Sequence, residues 1–196
     1  MAGQLSRYFD TLGQLAARTA ASDRHGRVVS LGTAYDWSIA AARAAHESGN
    51  RIFFVGNGGS AAIASHMAID FSNAGKLRAT ALNDAAVLTC LGNDYGYDQV
   101  FARQIEMQAR AGDLLVAISS SGRSPNILNA VAAAHARACH VLTLSGFAPD
   151  NPLRALGDMN LHVPSSEYNF VEVTHMALLA ALVDLSVGWG LAPAGR

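Results

Sequence analysis

From residue 51 onward the chain alternates short apolar runs with glycine- or serine-rich loops, each followed by a stretch of helical character. Parallel strands cannot be joined by a tight turn and need a crossover, which a helix supplies, so this alternation points to a parallel sheet covered by helices. The apolar runs predict strands at Arg51–Val55, Ala79–Leu82, Asp113–Ile118, His140–Leu144 and Asn160–Val163. The fold class is therefore α/β, a three-layer αβα sandwich around a five-stranded parallel sheet. Helices are predicted over Ser60–Ser72, Asp98–Arg110 and Pro125–Arg137, with a long apolar helix from Asn169 to Val187 closing the core. Two amphipathic stretches come first, Leu5–Ala21 and Thr33–Glu47, the second with Thr33 as N-cap and Gly49 as stop. They read as surface or oligomer-contact helices. At 196 residues, 51% apolar and 15% charged, the chain suffices for one sizeable core. We expect a single domain over 1–196, with added helices over 1–50 and the α/β core over 51–196.

The remaining composition excludes several partners. A formal net charge of −1 gives no global attraction to nucleic acid, so none is expected. Cys90 and Cys139 lack metal-site spacing and the density of a disulfide scaffold, which favours a reducing, cytoplasmic setting and places both in or near the core. Arg7 and Asp10 interrupt the apolar residues near the N-terminus, unlike a secretory signal. The stretch Val173–Gly190 approaches membrane-spanning length but contains His175 and Asp184, and reads as a buried helix with no membrane involved. Glycine and proline between Gly146 and Pro152 predict the most mobile loop.

Two loops carry chemistry. The first strand runs into Gly56-Asn57-Gly58-Gly59-Ser60, where a helix begins. Glycines let the backbone turn tightly and approach a ligand, and a helix start offers free N–H groups to an anion. Alone this is ambiguous: Gly56-x-Gly58-x-x-Ala61 also fits a relaxed dinucleotide fingerprint, with Asp84 loosely placed as its acid, and a tight turn without ligand remains open. The third strand ends in Ser119-Ser120-Ser121-Gly122-Arg123-Ser124-Pro125, again at a helix start. Its hydroxyls and free amides suit a phosphate monoester, and Pro125 stands where no N–H is needed. Neither loop has the Gly-Lys-Ser/Thr of a nucleotide P-loop, so no nucleotide cofactor is expected. One small phosphorylated ligand explains both.

With Leu91-Gly92-Asn93-Asp94-Tyr95-Gly96-Tyr97 lying between these loops and Asn126 following the second, the order and spacing resemble the phosphoheptose (sedoheptulose 7-phosphate) isomerases of the sugar isomerase (SIS) class. The resemblance runs from Arg51 to the C-terminus. It implies the SIS fold, a phosphorylated sugar as substrate, and a homotetramer with sites at subunit interfaces. It further implies that Ser119, Ser120, Ser121 and Ser124 hold phosphate, that Asn57 and Ser60 touch the sugar, and that Gly58, Gly59, Asn93 and Asp94 belong to the binding surface.

Aldose–ketose isomerisation moves one proton between adjacent carbons and another between their oxygens, so it needs a carboxylate-like base and an acid. His66 and Asp70 are four apart on the helix after the glycine loop, and Glu172 and His175 are three apart on the closing helix. Asp70, His175 and Glu172 are the catalytic candidates; His66, Asp70 and Glu172 also form a plausible zinc set. Each has a plainer reading, as a solvated carboxylate, a satisfied core histidine or an interface ion pair. The resemblance assigns base and acid to a glutamate and a second closing-helix histidine, where this chain has Asp70 and Ala180, and places glutamine where it has Glu172. Two function classes follow: a phosphosugar isomerase working through an enediol(ate), or a non-catalytic phosphosugar-binding protein resembling the branch that associates with the replication initiator DnaA.

Overall fold

The computed structural model describes residues 1–189. The end of the predicted membrane-length stretch at Gly190, and the last residues of the expected domain, lie outside them. In chain order the elements are α1 (Ala2–Ala17), β1 (Ala20–Asp23), β2 (Val28–Val29), α2 (Leu31–Glu47), β3 (Ile52–Gly56), α3 (Gly59–Asn73), β4 (Ala79–Ala81) and α4 (Ala85–Tyr95). They continue with α5 (Val100–Gln108), β5 (Leu114–Ser119), α6 (Pro125–Ala136), β6 (His140–Ser145), β7 (Met159–His162) and α7 (Tyr168–Ser186).

The strands form a seven-stranded sheet in the order β2-β1-β7-β6-β5-β3-β4. The five predicted strands are its parallel part, β3 to β7. The strand count of five is corrected by a hairpin: β1 pairs antiparallel with β7, and β2 with β1. Region 1–50 is thus not helical throughout. Ala20 and Ala21, assigned to the first helix, begin β1 instead. The run from Ala20 to Val29 is too short and too polar to show an alternating pattern, and its strand character comes from the β7 edge that it completes.

Alternation along the central strands divides the core. Ile52, Phe54, Leu114, Val116, Ile118, Leu142 and Leu144 face one layer, with α2, α3 and α7. Phe53, Val55, Leu115, Ala117 and Val141 face the other, with α5 and α6. This is the three-layer sandwich, its central strands β3, β5 and β6 buried on both faces as parallel strands are. On α7, Phe170, Val171, Leu178, Leu179, Leu182 and Val183 are buried. At about 1.5–3 kcal/mol for each fully buried large side chain, their removal from water favours docking on the sheet by on the order of 10 kcal/mol. That decides between core helix and membrane span, although α7 is long and apolar enough for either.

Three further expectations are corrected. Ser30, not Thr33, caps α2, accepting the Thr33 N–H at 3.0 Å. Cys139 is buried, but Cys90 is exposed on α4, a helix that the turn-rich motif around it concealed. The loop Gly146–Pro152 is pinned by Asn151, whose buried side-chain amide donates to Ser145 Oγ, Gly146 O and Ala148 O. A side chain replaces the regular hydrogen bonding that glycine and proline forbid.

Candidate functional site

β3 leads to β4 on one side and to β5 on the other, so the order of connection reverses between β3 and β5. Open α/β sheets bind ligands at the carboxyl ends of the strands beside such a reversal. A cleft of about 140 Å³ opens there, lined by Asn57, Ser60, Ile118, Ser119, Ser120, Ser121, Ser124, Tyr168 and Glu172. The structure thus gathers the predicted serine loop, Asn57, Ser60 and Glu172 around one space.

The glycine loop is shaped by contact. A Cβ on Gly56 would stand 2.5 Å from Ser60 O, so only glycine lets β3 turn this closely into α3. Gly58 is the N-cap of α3 at φ +54° and offers no capping side chain, which leaves the first amides of the helix open. The Glu172 carboxylate lies against Gly59, where an added Cβ would stand 2.5 Å from Glu172 Cδ. A carboxylate or a phosphate is favoured at this helix end by the dipole.

The serine loop is held by its own hydroxyls. Ser119 Oγ accepts the Gly122 N–H at 3.2 Å and lies 3.3 Å from Ser124 Oγ, and Ser121 Oγ accepts the Arg123 N–H at 3.3 Å. Gly122 adopts φ +62°, a conformation that glycine takes without strain. Ser120 Oγ is buried without a partner. Ser124 is the N-cap of α6 but makes no side-chain cap bond, so the helix start remains available to an anion. An unpaired buried hydroxyl and an uncapped helix start are both groups that a phosphate oxygen would satisfy.

Sequence reasoning missed how Asn57 is held. Asn57 and Asn126 exchange two amide hydrogen bonds of 2.8 Å each, and Tyr97 Oη donates to Asn57 Oδ1 at 3.1 Å. Both partners stood in the motifs, but helical spacing cannot show that a residue 69 positions away supplies the mate. Tyr168, at the start of α7, also lines the cleft with no sequence signal.

Other candidates lie elsewhere. Asn93 and Asp94 are exposed on α4, bonded to each other at 2.9 Å, and do not line the cleft. His66 Nε2 and Asp70 Oδ2 are 3.1 Å apart, on the outer face of α3. Gly59 and Glu172 meet at the opposite end of that helix, and at 1.5 Å per residue His66 is about 10 Å further along. Among the described residues no three His, Cys, Asp or Glu side chains gather to hold a metal. The zinc set therefore does not fit within one protomer.

His175 is fully buried, its Nε2 donating to Ser145 O over 3.0 Å, with Nδ1 unpartnered. Desolvation pushes its pKa down to about 4; the Ser145 bond opposes it, and the neighbouring His162 adds a smaller lowering. It does not reach the cleft, because it shares the core stripe of α7 with Val171, Thr174, Leu178, Leu179 and Leu182. Glu172, Met176 and Ala180 form the neighbouring stripe, which borders an open apolar groove with Gly59 and Ile63. Asp84, the acid of the dinucleotide reading, caps α4, accepting the Val87 N–H at 2.9 Å.

Residues 36–146 match the family profile described as SIS domain. The phosphoheptose isomerase of Pelobacter propionicus is 40% identical over 147 residues, covering 72% of this chain and 77% of the relative. That of Solidesulfovibrio magneticus is 38% identical over 178 residues, covering 86% and 83%. Among solved structures, the phosphoheptose isomerase of Neisseria gonorrhoeae superposes with a TM-score of 0.81 at 32% identity, covering 94% of this chain and 98% of that one.

Proposed function

The chain belongs to the SIS-domain family, beside its phosphoheptose isomerases, and from that premise we propose that it interconverts an aldose and a ketose phosphate of the sedoheptulose 7-phosphate kind. The observation that carries this reading is the cleft itself, where the serine loop, Asn57, Ser60 and one carboxylate, Glu172, share about 140 Å³ at two open helix starts. The phosphate sits among Ser119, Ser120, Ser121 and Ser124, with Asn57 and Ser60 along the sugar. Glu172 takes the proton from the carbon beside the carbonyl and returns it to the adjacent carbon, through an enediolate. A carboxylate so placed contributes about 10²–10⁴-fold as general base.

The hydroxyl–carbonyl proton is served from a second copy. Gly59, Ile63, His66 and Asp70 are spaced four, three and four apart and share a face of α3, beside the apolar groove that Glu172 borders. A copy covering this groove brings its own His66–Asp70 pair towards the cleft. Leu5, Phe9, Ile69 and Val173 add exposed apolar surface, which supports a homo-oligomer, read here as a tetramer. A cytoplasmic setting is part of the same proposal. No step is assigned to a metal, and zinc enters as one arm of the test.

That test incubates the protein with sedoheptulose 7-phosphate in deuterated water, with and without added zinc, and follows carbon-bound deuterium by NMR and mass spectrometry. Exchange that disappears in Glu172→Gln while binding remains supports the reading. If wild type exchanges nothing under either condition, the chain is a phosphosugar-binding protein, a reading that Ala180 favours.

A further inference from the structure

A second cavity lies at the opposite end of the sheet. It has a volume of about 260 Å³ and is lined by Gly49, Asn50, Arg51, Arg78, Arg110 and Asp113, with Met107 and Gln108 at its side. It stands where β3 and β5 begin, whereas the serine cleft stands where they end. β5 has six residues, so at about 3.3 Å per residue the two spaces are about 20 Å apart.

Three arginines from three separate segments line this cavity, and among the described residues none of their guanidinium groups is in an ion pair with a carboxylate. The single acid present is already engaged: Asp113, 2% exposed, accepts the Arg51 N–H at 2.7 Å and the Arg110 N–H at 2.6 Å. Those bonds fix two of the arginine backbones and leave their side chains uncommitted. Arg78 is held as well, donating from Nη1 to Gly49 O at 2.7 Å, while Arg78 O accepts the Ile52 N–H at 2.8 Å. Asn50 closes the floor with a 3.0 Å bond from Nδ2 to Ala111 O.

Three cations against one occupied carboxylate leave a local excess of positive charge in a chain whose formal net charge is −1. Guanidinium forks pair with phosphate oxygens in parallel hydrogen bonds, and anchored backbones reduce the ordering cost of binding. A phosphate monoester would engage one or two such forks; three call for a more highly charged group. The volume is below the usual range of drug-sized pockets, about 300–1,000 Å³, which favours a compact ligand. We propose that Arg51, Arg78 and Arg110 form a second anion site, distinct from the substrate cleft, for a small polyanion of the pyrophosphate or sugar bisphosphate class.

Inorganic pyrophosphate is the probe, titrated calorimetrically at low salt into three forms of the full chain. These are wild type, Ser121→Ala with Ser124→Ala, and Arg51→Met with Arg110→Met, the last keeping the apolar stems and the main-chain bonds to Asp113. The expected result is one pyrophosphate per protomer still bound by the serine variant, with affinity that falls as salt rises. In the arginine variant that event weakens at least tenfold, while phosphosugar binding at the serine cleft is retained. Loss of all pyrophosphate binding in the serine variant, or unchanged binding in the arginine variant, overturns the proposal. Arg78→Met supplies an independent measure should the double variant fold poorly, and the same tenfold criterion applies to it.

Discussion

Acid should destabilise this protein through His175, and the size of the effect follows from its burial. Its pKa of about 4 in the folded chain lies below the ordinary value of 6.5. A histidine with a depressed folded pKa is neutral when folded and takes up a proton more readily when unfolded. Stability is therefore full above about pH 6.5 and is lost as pH falls towards 4. A pKa difference of one unit corresponds to about 1.4 kcal/mol, so His175 accounts for about 3 kcal/mol of lost stability at pH 4. His162, also pushed down to about 4 by desolvation and by Arg154, adds in the same direction. Replacing His175 by glutamine removes its share while keeping a donor for Ser145 O. Urea denaturation followed by circular dichroism at pH 7, 5.5 and 4, at fixed protein concentration, gives the stability difference for both proteins. The pH 7-to-4 difference is expected to shrink by about 3 kcal/mol in His175→Gln. Turnover at pH 7 is expected to stay within tenfold of wild type, since the side chain does not reach the cleft. An unchanged pH difference would refute the burial argument. A folded variant with turnover reduced by about a hundredfold or more would return His175 to the reaction.

Ser121→Ala with Ser124→Ala should weaken phosphosugar binding at least tenfold by calorimetry, because hydrogen bonds to a charged group contribute about 1.5–3 kcal/mol each. Gly59→Ala places a methyl group on the Glu172 carboxylate and should cut kcat at least tenfold while phosphate affinity changes little, as separate measurements of kcat and binding will show. Asn126→Leu removes both amide bonds to Asn57 and leaves Asn57 Nδ2 unpaired, while Oδ1 keeps Tyr97; thermal denaturation should reveal a loss of about 1–3 kcal/mol. Light scattering at micromolar concentration should give a multiple of the chain mass, and a monomer would remove the second copy from the proposed mechanism.

The parallel core was legible because its signals are local. Each strand from β3 to β7 is a short apolar run closed by glycine, serine or a polar turn, and the predicted boundaries lie within one residue or two of those observed. The serine loop was legible for the same reason, since its hydroxyls are neighbours in sequence and become neighbours in space. What escaped depends on distant partners. The β1–β2 hairpin is a strand because β7 offers an edge, and the Asn57–Asn126 pair exists because β3 and β5 are adjacent in the sheet.

The closing helix shows both outcomes within a few residues. Its apolar content identified a core helix, and helical arithmetic already separates His175 from Ala180 by about 140° at 3.6 residues per turn. That angle alone did not say which of the two faces the cleft. The sheet decides it: Val171, Thr174, Leu178 and Leu182 pack inward, and His175 goes with them. Glu172, one stripe around, is left beside Gly59 at an open helix start, with Ala180 two turns below it on the same groove. The carboxylate that the sequence offered as one candidate among three is thereby the one that the fold presents to the serines. The position at which the resemblance leads one to expect a histidine carries a methyl group on an apolar surface, which a second copy can cover. Loss of an acid at that place and gain of packing surface are one substitution, and the His66–Asp70 pair continues along α3 the face on which Gly59 and Ile63 line that groove.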